Sequence, residues 1–82
     1  MPRAIIGQMQ IGDWGIPAAL WLGGRVVFQG DMRSCLAAWL KQVSAERTEA
    51  YIQPSTVLHG KRRYRAQDIA DLARQEAQNL SL

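Results

Sequence analysis

Eighty-two residues, 48% hydrophobic and 21% charged, make one folded domain over 1–82, too short for two independent cores and too apolar for disorder. Ten Lys/Arg against seven Asp/Glu leave a formal charge of +3, a mild preference for anionic partners short of the strong bias of a dedicated DNA-binding domain. A lone cysteine, Cys35, excludes an internal disulfide framework and any cysteine-rich zinc site.

The N-terminus lacks the long apolar stretch and small-residue cleavage site of a secretory signal, and no apolar run approaches the ~20 residues that span a bilayer. The expected setting is cytoplasmic, with no membrane partner. A domain this small buries only roughly 60–65% of the surface its unfolded chain exposes, so its large apolar residues should mostly be in use.

Residues 4–11 alternate as a strand does, with Ile5, Gly7, Met9 and Ile11 on one face. The breakers from Gly12 to Pro17 then predict a loop. Two β-prone runs, 19–22 and 25–28, flank Gly23-Gly24, a pair that supplies positive φ at both centres of a type I′ hairpin turn. Simple pairing sets Trp21 against Val26 and Ala19 against Phe28 on one face. Leu20 against Val27 and Leu22 against Arg25 fall on the other.

The Trp21–Val26–Phe28 face is expected to cover the core. Leu20, Leu22 and Val27 would then point away. Either the second helix or the loop at Trp14–Ile16 covers them, or they form a patch for a partner or a homodimer.

Asp31 suits a helix N-cap, and Met32, Cys35, Leu36, Trp39, Leu40 and Val43 follow at helical spacing as one apolar stripe. Residues 44–50 read as the end of that helix and a loop. Tyr51-Ile52-Gln53 reads as a short strand stopped by Pro54, which has no N–H for a ladder. The runs 56–59 and 62–65 predict a second hairpin around Gly60-Lys61. Ile69, Leu72, Ala73, Glu76, Ala77 and Leu80 trace a terminal helix, with Asp68 and Asp71 near its start, where the helix dipole favours negative charge. The order is β-β-β-α-β-(β)-β-α: an α+β domain with a small, mainly antiparallel sheet of four to five strands and two helices.

Groups that do chemistry are few. His59 is the only histidine, Cys35 lies on an apolar stripe, and neither a nucleophile elbow nor a phosphate-binding glycine loop is present. No catalytic residue, metal or cofactor is expected. The functional feature that stands out is Lys61, Arg62, Arg63, Tyr64 and Arg65. Strand alternation would set Lys61, Arg63 and Arg65 on one side, able to meet phosphates or carboxylates. Tyr64, with Tyr51, could stack on a base. A solvated, self-paired edge that discourages aggregation is the plain alternative.

With its Ala19–Phe28 hairpin around Gly23-Gly24, a following helix, a second strand set and a terminal helix, the chain resembles in organisation the small accessory proteins of bacteriophages and other mobile elements, anti-CRISPR proteins among them. That resemblance implies a non-catalytic inhibitor that occludes a surface of a larger complex, and it assigns no residues. The expected function is therefore docking on a macromolecular partner through residues 61–65, with Arg25 and the hairpin surface next. The alternative is a small nucleic-acid-binding accessory or regulatory protein using the same basic segment.

Overall fold

A computed structural model of the chain describes Met9 and residues 11–80. Their order is a short 3-10 helix (Ile11–Gly15), β1 (Pro17–Leu22), β2 (Arg25–Asp31), α1 (Met32–Leu40), α2 (Ser44–Glu49), β3 (Tyr51–Pro54) and α3 (Ala66–Leu80). The architecture is α+β, with one three-stranded antiparallel sheet in the order β2-β1-β3. Most of the strand expected over 4–11 falls outside the described residues. Met9 is buried without regular structure, and Ile11 opens the 3-10 helix.

The β1–β2 hairpin turns at Gly23 (φ 63°) and Gly24 (φ 81°), as the glycine pair demands. Leu22 pairs with Arg25 and Trp21 with Val26, but Leu20 then pairs with Phe28. Val27 is the extra residue of a β-bulge, and every later side chain of β2 changes face. Phe28 thereby joins Leu20 and Ala18 against the core, while Val26 and Trp21 stay on the other face. The face expected to point away from α1 is therefore the one packed against the core. Leu20 is fully buried and Leu22 packs against the core, so only Val27 (42% exposed) remains of the patch proposed from simple pairing.

Asp31 caps α1 by accepting from the Ser34 N–H at 2.8 Å, and this hydrogen bond holds its carboxyl below the usual range. Met32, Cys35, Leu36 and Trp39 are buried as their spacing requires. The stripe stops there: α1 ends at Leu40, and Leu40 and Val43 are exposed. The Trp39 indole N–H donates to the Arg47 carbonyl at 3.1 Å, drawing α2 back past the end of α1. Residues 44–49 form a helix where a loop was expected, because the chain needs a turn here to bring β3 beside β1.

The expected second hairpin shrinks to a tight turn centred one residue earlier. His59 (φ 51°) and Gly60 (φ 78°) take the two left-handed positions, and Leu58 and Lys61 exchange backbone hydrogen bonds of 3.0 and 2.8 Å. Histidine tolerates that region better than most residues. Tyr64 then exchanges a pair of backbone bonds with Ile52, at 2.9 and 2.8 Å, along the outer side of β3. These are isolated bridges, so the described residues hold three strands; four to five were expected over the whole chain. On α3, Ile69 and Leu72 are buried, and Glu76 reaches Arg33 of α1 at 2.7 Å. Among the described residues no helix is long and apolar enough to cross a membrane.

Candidate functional site

The sheet has one face against α1 and the core, and one face that keeps its solvent exposure. Register builds the second. Val26 of β2, Trp21 of β1 and Tyr51 of β3 are directly paired neighbours, so their side chains stand in one row across the sheet. The Trp21 and Tyr51 rings are parallel to within 4°, with centroids 6.0 Å apart. The Arg63 guanidinium carbon lies 4.9 Å from the Tyr51 centroid, over the ring. Val26, Trp21, Tyr51 and Arg63 thus form one file, with Val26 37% exposed and Arg63 exposed. In the next row Gln29, Ala19 and Gln53 are paired neighbours on the same side.

Ala19 is small, and the sheet dips there. A depression of about 420 Å³ is lined by Pro17, Ala19, Trp21, Val26, Gln53 and Pro54 among others. A second, of about 350 Å³, runs from Gln53 and Pro54 past Val57 to Arg62. No carboxylate lines either one.

The basic segment divides. Tyr64 is fully buried, its hydroxyl donating to the Leu58 carbonyl at 3.1 Å, and burial pushes its phenol up to about 12. It is a core residue and offers no ring to a partner. Lys61 pairs with Asp68 at 3.5 Å. Arg62, Arg63 and Arg65 are exposed; Arg62 lines the second depression, and Arg65 directly precedes α3, its backbone N–H donating to Asp68 Oδ2 at 3.3 Å. Arg25, opposite Leu22 at the hairpin tip, belongs to the core-side row and stands apart from the file.

Of the other described cations, Arg33 pairs with Glu76 and Arg74 with Asp71, Arg47 lies 5.4 Å from the Trp39 centroid, and Arg25 and Lys41 have no carboxylate partner among the described residues. Among the described residues the guanidinium groups of Arg62, Arg63 and Arg65 have no carboxylate partner.

The remaining chemical groups are structural in their contacts. Cys35 is fully buried, and desolvation, with the nearby Asp31 charge, raises its thiol to about 11. The His59 Nε2 lies 3.0 Å from an Asp13 carboxylate oxygen, tying the 58–61 turn to the 3-10 helix. Sequence reasoning finds the arginines but not the aromatic pair, because Trp21 and Tyr51 meet only once β3 is known to lie beside β1. No family model, curated protein or solved structure matches this chain.

Proposed function

We propose that the chain is a non-catalytic binding protein that docks on a larger macromolecular partner through the open face of its sheet. The observation that carries this reading is the solvent-facing file of partly buried Trp21 and Tyr51 with exposed Arg63, beside a largely apolar depression. Tryptophan, tyrosine and arginine are the residues on which interface energy concentrates, and a domain this small gains nothing internally by leaving two aromatic rings partly in water. The groups most suited to catalysis are occupied elsewhere: a buried thiol with a raised pKa, and an imidazole held by Asp13 in a turn. Covering a working surface of the partner, as the resemblance to small phage-borne inhibitors implies, is the simplest activity such a face can have.

The test is positional photo-crosslinking in extract of the native host. A photoreactive amino acid replaces Val26 on the open face or, as control, exposed Val43 beyond α1. The expected result is one dominant adduct from position 26, none from 43, and its loss when Trp21→Ala is added. An adduct from 43 alone, or none from 26, rejects docking through this face.

A further inference from the structure

Resting on the docking reading, we infer that the partner of the open face is an acidic protein surface, presenting carboxylates beside an apolar side chain. Charge is the first argument. Arg63 stands over Tyr51 and Arg62 lines the second depression, both without a carboxylate partner, and no acid lines the two depressions, among the described residues. Lys61, beside them in sequence, is matched by Asp68. Arg25 at the hairpin tip and Lys41 at the end of α1 also lack a carboxylate partner among the described residues, but this edge of the sheet is where such cations stand beside the open face. A guanidinium stacked on a tyrosine ring keeps its N–H edge outward, the geometry that binds a carboxylate through two parallel hydrogen bonds.

Ring geometry is the second argument, and it separates protein from nucleic acid. Binding single strands through aromatic residues requires a ring face on which a base can lie. Here Trp21 and Tyr51 turn one face each toward the other, Arg63 lies over Tyr51, and Val26 is the directly paired neighbour on the other side of Trp21. The file offers ring edges, a flanking cation and a depression of about 420 Å³ with room for apolar side chains. The same face argues against a second copy of this chain, because among the described residues no acid lines its depressions and a two-fold contact would offer its arginines no carboxylate.

The experiment uses the full chain and fluorescence anisotropy with three labelled probes: a short peptide of repeated Glu-Leu-Glu, its Lys-Leu-Lys counterpart, and oligothymidylate of equal charge to the acidic peptide. Two variants accompany it. Arg63→Glu reverses the charge over Tyr51, and Ala19→Leu narrows the depression; thermal melts verify that both remain folded. Saturable binding of the acidic peptide is expected, weakening with salt and falling about tenfold or more in each variant. The lysine peptide should not bind, and the oligonucleotide should bind at least about tenfold more weakly than the acidic peptide.

Tighter binding of oligothymidylate, lost in Arg63→Glu, would assign the face to nucleic acid and overturn the inference. So would an acidic peptide that does not bind or ignores both substitutions, or sedimentation showing a dimer abolished by Ala19→Leu. The crosslink at position 26 reads occupancy of the face whatever the partner's charge. Failed peptides with an intact crosslink remove only the acidic partner, whereas a failed crosslink removes the docking reading itself.

Discussion

Replacing Tyr64 with phenylalanine deletes one oxygen and tests whether this residue belongs to the core or to a partner-binding surface. The hydroxyl donates to the Leu58 carbonyl at 3.1 Å inside the protein, and that carbonyl also accepts from the Lys61 N–H at 2.8 Å. The acceptor therefore keeps a partner in Tyr64→Phe, and the loss is that of one net hydrogen bond, about 1 kcal/mol. For a domain of this size that lowers the thermal midpoint by about 4–8 °C. Tyr64→Ala would instead cost about 3–5 kcal/mol, comparable to the whole stability of a small domain, so phenylalanine is the informative change.

The alkaline limb supplies a second readout for the same variant. An acid whose folded pKa lies above its unfolded value contributes stability that is complete below the unfolded pKa and is lost as pH rises toward the folded one. For Tyr64 that window runs from 10.0 to about 12, and for Cys35 from 9.0 to about 11. Circular-dichroism melts of the wild type should thus lose stability from pH 9 upward, and Tyr64→Phe should lose less of it between 10 and 12. An unchanged midpoint at neutral pH, or a Tyr64 phenolate forming near pH 10 while the chain is still folded, would refute the assignment of Tyr64 to the core.

Three further expectations follow from the same contacts. Leu20→Ala, at a fully buried position in the central strand, should cost about 2–5 kcal/mol in urea unfolding, whereas Val43→Lys, on an exposed residue beyond α1, should change stability by less than about 0.5 kcal/mol. Gly30→Ala places a Cβ at 3.0 Å from a Phe28 ring carbon and 3.2 Å from the Ser34 Cβ, so the ring or the start of α1 must shift and the midpoint should fall by an amount equivalent to about 1–3 kcal/mol. Asp31→Ala should lower the midpoint and Asp31→Asn should largely preserve it. Because the Asp31 carboxyl is held below its usual pKa, the wild type should lose the cap's contribution as pH falls through that value, which acid melts of wild type and Asp31→Asn would separate.

The features legible in the sequence are those set by local chemistry. Gly23-Gly24 announces its turn because two consecutive positive φ angles are costly for anything else, and Asp31 announces a helix start because its side chain meets its own backbone. The two residue pairs nearest the turn could be read for the same reason. Beyond them Val26-Val27-Phe28 gives no sign of a bulge, and a one-residue slip exchanges the two faces, so the core side of the hairpin reads inverted. The end of α1 is hidden because Leu40 and Val43 continue the apolar period, while the chain leaves the helix to let Trp39 meet Arg47. In the basic segment, composition reveals the arginines, but alternation cannot show that Tyr64 is the buried member once its backbone bridges Ile52. The aromatic half of the site depends on a pairing between residues far apart in the chain. No local rule contains it.

The bulge that hides the face from sequence is also what makes the face usable. Phe28, Leu20, Ile52 and Tyr64 form an inner row across the sheet, and Val26, Trp21, Tyr51 and Arg63 form the outer one. Leu20 and Trp21, Ile52 and Tyr51, and Tyr64 and Arg63 are adjacent in the chain. Trp21, Tyr51 and Arg63 of the outer row therefore each stand on a strand or bridge whose neighbouring side chain is locked in the core. An arginine on an open loop loses up to about 2 kcal/mol of side-chain freedom when it is immobilised. Arg63 has surrendered part of that already, through its stack on Tyr51 and the two backbone bonds that anchor Tyr64. A salt link to a partner carboxylate then starts from an ordered cation, and small exposed domains gain affinity most readily by this kind of preorganisation. Tyr64 is accordingly a positioning residue for Arg63. Loosening it should weaken the acidic-peptide contact even though Tyr64 itself touches nothing outside the core.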